Sequence, residues 1–149
     1  MNIEKTFNMI KWDGINHEKE IYRMLEPCGK ILISVRIDCV PREFIEEHYS
    51  IHKGKSFFDY MVESFVGNPA IISIREGEDV IRKTIETIGP TDPSKAPEYT
   101  IRGKFSNDSL EKAISEHRPV QNVIHRSDSP EEAAREIKVW ERYFLLDYN

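Results

Sequence analysis

Apolar residues fall along this chain in two rhythms. Residues 3–11 alternate around Phe7, Met9 and Lys11, the period of a strand. Ile31, Ile33, Val35 and Ile37 alternate in the same way and predict a half-buried strand over 31–37. Ala70-Ile71-Ile72-Ser73-Ile74 is a short apolar run between turn signals, the pattern of a buried strand. Val120 to Ile124 is the last predicted strand. Between these runs the spacing changes to that of helices. Residues 17–26 carry Ile21, Met24 and Leu25 on one face, and Gly29 ends that unit. Pro41 suits a first helical position, with Phe44, Ile45, His48 and Tyr49 following on one face. Residues 57–65 predict a short helix, and residues 78–88 a further one ended by Gly89. Asp13-Gly14 reads as a turn.

The final helix has the clearest start. Ser129 is placed as N-cap, Pro130 as first helical residue, and Glu132 three positions on completes a capping box. Ala133, Ile137, Trp140 and Phe144 then recur at helical spacing. Residues 89–119 are polar and rich in Pro, Gly and Ser; within them 108–116 suits a helix. Strand and helix therefore alternate four times. That order fits either an α+β sandwich or a doubly wound sheet.

At 149 residues the chain is expected to form one domain, 1–149. Apolar residues make up 39% and charged residues 32%, as in an ordinary water-soluble domain. No apolar run approaches the ~20 residues that span a bilayer, so no membrane partner is expected. Met1-Asn2-Ile3-Glu4-Lys5 lacks the marks of a signal peptide, and a cytoplasmic location is expected. Cys28 and Cys39 lack metal-type spacing and are expected as reduced thiols. A net charge of −5 argues against non-specific nucleic-acid binding. A phosphate ligand would need a few placed cations.

There is no G-x-x-x-x-G-K-[ST] loop, no G-x-G-x-x-G and no G-x-S-x-G elbow. Of five histidines, His17 and His117 lie in polar stretches and are expected to be solvated. His48 and His52 are four apart, a metal-type spacing, but the sequence offers no third ligand. His125 ends an apolar strand just before a polar turn and a capped helix, where functional side chains collect. Position alone favours a histidine that merely closes the turn.

The neighbouring residues change that balance. Asn122-Val123-Ile124-His125-Arg126-Ser127-Asp128-Ser129, with Glu136 seven residues past Ser129, resembles the active-site signature of the nucleoside diphosphate kinase family. Lys5 to Lys11 with Asp13-Gly14 is similar to that family's first strand. Glu47-His48-Tyr49 and Lys53-Gly54-Lys55-Ser56-Phe57-Phe58 resemble its second helix and nucleotide lid. Gly89-Pro90-Thr91-Asp92-Pro93, Thr100-Ile101-Arg102-Gly103, Trp140 and Asp147-Tyr148 extend the resemblance over nearly the whole chain.

The resemblance implies a ferredoxin-like βαββαβ fold of α+β class, with a four-stranded antiparallel sheet covered by helices. It implies transfer of the γ-phosphate of a nucleoside triphosphate, mainly ATP, to a nucleoside diphosphate. The transfer would be ping-pong, through a phosphohistidine, with little base selectivity. His125 is then the nucleophile, oriented by Glu136 and Ser127, with Lys11 and Tyr49 beside it. Lys11, Arg102 and Thr91 would hold phosphates, Asn122 and Lys11 the ribose, and Phe57 would stack on the base. Mg²⁺ would arrive on the nucleotide phosphates, with no metal ligand from protein side chains. A homo-oligomer, hexamer or tetramer, is implied.

Some positions depart from the family pattern. Ile85 stands where an arginine is usual, with Arg82 one turn earlier as a substitute. Arg126 replaces a glycine and Trp12 a proline, and the Asp13-Gly14 loop is short. Residues 107–118 read as an insertion that caps the nucleotide site or alters subunit contacts. The departures motivate an alternative, a catalytically weak nucleotide-binding or scaffold protein of the same fold.

Overall fold

The computed structural model describes residues 3–146. Four strands form one sheet: β1 (Ile3–Ile10), β2 (Lys30–Ile37), β3 (Ala70–Glu78) and β4 (Ile124–Arg126). Their spatial order is β2-β3-β1-β4 and every pairing is antiparallel. The doubly wound alternative is excluded, and the ferredoxin-like arrangement holds. Ile10 pairs with both Ile71 and Ile124, while Met9 sits between Ile72 and His125. Among the described residues the α-helices are α1 (Glu18–Leu25), α2 (Arg42–His48), α3 (Phe58–Phe65), α4 (Val80–Ile88), α5 (Ile101–Phe105), α6 (Leu110–Ser115) and α7 (Pro130–Leu146).

Alternation along each strand divides the core between two faces. Phe7, Met9, Ile72 and Ile74 pack with Phe44, Val62, Phe65 and Trp140 of α2, α3 and α7. Ile10, Ile71 and Ile124 pack with Ile21, Leu25, Ile81, Ile88 and Ile101 of α1, α4 and α5. Each fully buried side chain of this size contributes roughly 1.5–3 kcal/mol. Because helices cover both faces, β1 and β3 are buried on both sides over most of their length. Edge strand β2 keeps a clean alternation of burial.

The last strand differs from expectation. Pairing begins at Ile124, and Val120 to Asn122 run outside the sheet. The break is at Val123, whose φ of 64° lies in the left-handed region that β-branched residues avoid. Two bonds hold it there. Its N–H donates to Asp13 Oδ2 at 3.0 Å, and its carbonyl accepts from the Lys11 N–H at 2.9 Å. Gly14 makes the approach possible, since a Cβ there would lie 2.4 Å from the Val123 oxygen.

Three smaller differences follow local chemistry. The predicted 78–88 helix starts only at Val80, because Glu78 completes β3 and Asp79 turns through a φ of 51°. The capping box is shifted. Ser129 Oγ accepts the Glu132 N–H at 3.1 Å, but Glu132 Oε2 accepts from Asp128, one residue early, at 3.3 Å. In the polar stretch, α5 was unexpected; Thr100 Oγ1 caps it by accepting the Gly103 N–H at 3.0 Å. The expected 108–116 helix is α6, capped by Ser109. Asp147 and Tyr148 lie outside the described residues.

Candidate active site

His125 sits in the middle of β4, level with Met9 in the sheet centre. Its Nε2 bonds Glu136 Oε1 at 2.8 Å. Glu136 lies on the buried face of α7, two turns from its start. Ser127 Oγ donates to the same oxygen at 2.8 Å and accepts the Phe7 N–H at 3.3 Å. Burial alone would raise the Glu136 pKa. The charge and hydrogen bond of His125 outweigh it, helped by His48 and Ser127, and hold the carboxyl at about 2. A carboxylate accepts only, so Nε2 must carry the proton. Nδ1 is left with its lone pair.

A cleft of about 430 Å³ opens beside this ring, a size suited to a small organic ligand. Lys11, Tyr49, Phe57, Thr91, Arg102, Asn122, His125 and Glu136 all line it. Ser127 stands behind Glu136 and outside the lining. Residues widely spaced in the chain thus converge on one space.

Arg102 and Lys11 bond backbone carbonyls in the cleft. Arg102 is 4% exposed and donates to the carbonyls of Asn122, Gly89 and Ile124 at 3.3, 3.1 and 2.7 Å. Burial, with the nearby Arg126 charge, lowers its pKa to about 9. Lys11 follows β1; its Nζ reaches the Val120 carbonyl at 3.4 Å and lies 5.9 Å from the Phe65 ring centre. Burial chiefly lowers its pKa to about 8. Asn122 Nδ2 donates to the Thr91 carbonyl at 2.9 Å, tying the central loop to β4. Burial and the Glu136 charge raise the Tyr49 pKa. Phe57 forms one wall, with His52 at 5.2 Å between ring centres.

Residues 107–118 lie along the same cleft. Leu110, Ala113 and Ile114 of α6 line it, with Arg118 and Pro119. Arg118 grips Asp108 through two bonds of 2.6 and 2.9 Å, and Asp108 also accepts the Gln121 N–H at 2.8 Å.

Sequence reasoning did not place His48 at the site. His48 is 1% exposed, and its ring packs edge-on to that of His125 at 4.5 Å. Trp140 Nε1 donates to His48 Nδ1 at 3.1 Å. The neutral ring therefore carries its proton on Nε2, and burial holds its pKa well below the usual histidine value. Its place on the apolar face of α2 was the available signal. The third ligand absent from the sequence pattern exists in space, but for another pair. His48, His125 and Glu136 place ligand atoms within 4.8 Å of one another, and His52 is not among them.

Two other expectations are revised. Arg82 does not stand in for the missing arginine, because it pairs outward with Asp79 and Glu86. Ile85 packs against the apolar core under α4. His17 is not simply solvated, since it stacks on Phe105 with ring centres 4.3 Å apart.

The sequence profile described as Nucleoside diphosphate kinase matches residues 4–143. The chain belongs to the nucleoside diphosphate kinase family. It is 41% identical over 141 residues to a nucleoside diphosphate kinase from Staphylothermus marinus, covering 93% of both chains. It is 38% identical over 140 residues to one from Carboxydothermus hydrogenoformans, covering 93% of this chain and 87% of that one. Its fold is similar to that of the Borrelia burgdorferi nucleoside-diphosphate kinase solved as a transition-state mimic with vanadate and ADP. That likeness has a TM-score of 0.85 at 25% identity, over 93% of this chain and 86% of the other. An NDP kinase from Pyrobaculum aerophilum is similar at a TM-score of 0.80 and 26% identity, over 93% and 95% of the two chains. The family's activity is therefore this chain's: phosphate passes from a nucleoside triphosphate to a nucleoside diphosphate.

Proposed function

We propose that the transfer runs through His125 Nδ1. The observation that carries this reading is the Nε2–Glu136 bond, which leaves Nδ1 as the free nucleophile. Its lone pair attacks the γ-phosphorus of a bound nucleoside triphosphate. The bond from that phosphorus to the β,γ-bridging oxygen breaks, and the diphosphate leaves with the electron pair. The phosphorylated ring keeps its Nε2 proton and carries positive charge, which the Glu136 carboxylate balances. A second nucleoside diphosphate then attacks the phosphohistidine through its β-phosphate oxygen and restores the neutral ring.

The transfer is mostly a matter of positioning and charge. Lys11 and Arg102 hold the phosphates, Thr91 donates its hydroxyl to them, and Asn122 with Lys11 binds the ribose. Tyr49 packs beside the nucleophile. Phe57 stacks on the base, a contact that every base satisfies and that gives little selectivity. Magnesium, bound to the nucleotide's own phosphates, neutralises part of their charge. At Glu136, His125 and Ser127 both occupy Oε1, and the Arg135 guanidinium lies 3.6 Å from Oε2. Residues 107–118 cap one side of the bound nucleotide.

We also infer a single domain over 1–149, a homo-oligomer of four or six copies, and a cytoplasmic location. Supporting assembly, β2 pairs only with β3 and exposes Leu32 at 42%. Supporting the location, no helix among the described residues is long and apolar enough to cross a membrane. Light scattering of the purified chain reports the copy number.

The deciding experiment incubates the chain with γ-³²P-ATP and Mg²⁺ without acceptor, beside His125→Ala. An acid-labile, alkali-stable label on wild type alone, removed by GDP, is expected. Wild type that turns over without such a label would show transfer without the histidine relay.

A further inference from the structure

Arg126 has no part in the mechanism above, yet it lines the cleft immediately after the nucleophile. Its side chain is only 10% exposed. Nε and Nη2 both donate to the Gly89 carbonyl, at 3.2 and 3.0 Å. Arg102 donates to that same oxygen at 3.1 Å. Two guanidinium groups thus converge on one neutral acceptor at the head of the Gly89-Pro90-Thr91 turn. Like charges this close are unfavourable unless an anion joins them.

The two arginines are held differently. Three backbone carbonyls fix Arg102. Arg126 gives its remaining terminal nitrogen, Nη1, to the carboxylate of Asp128, whose side chain is 59% exposed. Only the Asp128 end of this pair faces solvent, so its carboxylate is the partner able to turn away. α4, on the same side of the sheet, supplies no cation here: Ile85 is a half-buried apolar side chain packed against the core, and Arg82 is paired outward.

We propose that Arg126 is a phosphate-binding catalytic residue of this chain. Its Nη1 passes from Asp128 to the β- and γ-phosphates when the nucleotide enters. Asp128 is the carboxylate that the phosphate displaces from Nη1. The proposal rests on the reading that this cleft takes nucleotides. A guanidinium is suited to the task, because its forked donors keep the Gly89 carbonyl with one edge and offer another to phosphate.

The test is calorimetric binding of AMP, ADP and ATP to wild type, Arg126→Gly, Arg126→Lys and Asp128→Asn, with steady-state kinetics alongside. Arg126→Gly is expected to weaken ADP and ATP on the order of 10–100-fold and AMP far less. Arg126→Lys should recover part of that loss. Asp128→Asn should tighten ADP a few-fold, because it removes the competing carboxylate. If Arg126 only braces the Gly89 turn, Arg126→Gly will lower the melting temperature and weaken AMP and ADP alike; that pattern overturns the proposal. Unchanged ADP affinity in Arg126→Gly also overturns it. An Arg126→Gly/Ile85→Arg double variant guards against simple misfolding, since a guanidinium restored from α4 should regain ADP affinity. Failure of that rescue, with the single variant's melting temperature lowered, counts for the bracing role. Wild type that binds none of the nucleotides sinks the nucleotide reading itself, and the proposal with it.

Discussion

His125 Nε2 and Glu136 Oε1 are 2.8 Å apart, and the oxygen is buried in the first half of α7. The carboxylate therefore fixes which ring nitrogen carries the proton. Replacing Glu136 by Ala should lower kcat on the order of 10–100-fold, the worth of one charged hydrogen bond. ADP affinity should change little. Stopped-flow phosphorylation of the histidine reads both effects.

The same pair sets a pH window. The folded Glu136 pKa, about 2, is depressed from an ordinary value near 4.5. Its contribution to stability is complete above about pH 4.5 and is lost as pH falls toward 2. Acid unfolding of Glu136→Gln should accordingly be flatter over that range than wild type. A parallel slope in both proteins would count against the assignment.

At Lys11 the fold opposes the charge instead of favouring it, although stability again rises with pH. Burial lowers its pKa from 10.5 to about 8, so the fold disfavours its charge. That penalty is complete below about pH 8 and is relieved between there and 10.5. Stability from this group should thus rise over the range where ADP affinity falls, because the neutral amine no longer attracts phosphate. Lys11→Arg should keep its affinity at alkaline pH. Titration calorimetry between pH 7 and 9.5 tests it.

Trp140 acts through His48. Trp140→Phe removes the donor to Nδ1 and frees His48 to change tautomer beside His125. A several-fold loss of kcat with unchanged KM is expected. Phe keeps most of the packing, so the melting temperature should move by only a few degrees. A shift in KM alone would speak against this role.

Asp108 and Arg118 tie residues 107–118 together with a bidentate pair. Asp108→Asn should loosen α6 over the cleft and raise KM for nucleotides a few-fold, with kcat retained. Equal KM values would mean that the segment does not cap the site.

Most of the sheet was legible because its alternation is uninterrupted; Phe7, Met9, Ile72 and Ile74 read directly as one face. β4 was misplaced because Val120, Val123 and Ile124 together suggest a strand that starts at Val120, while its break depends on Asp13, more than a hundred residues away. α5 hid in a polar stretch whose cap and core contact, Thr100 and Ile101, are short signals. The site residues came from the resemblance; periodicity alone left His125 ambiguous. His48 and Arg126 escaped because their roles arise from tertiary neighbours. A buried histidine on an apolar helix face looks like ordinary packing until Trp140 and His125 stand beside it.

Val123 carries a cost of about 1–3 kcal/mol in its left-handed backbone, two residues before His125. An engineer seeking thermostability would try Val123→Gly to release that strain. Glycine would also unlock the hinge on which His125 is aimed, and the buried valine would leave a void. Robustness and turnover are therefore traded at one peptide unit, and selection for heat resistance should find its gains on the surface of α1 or α7 first.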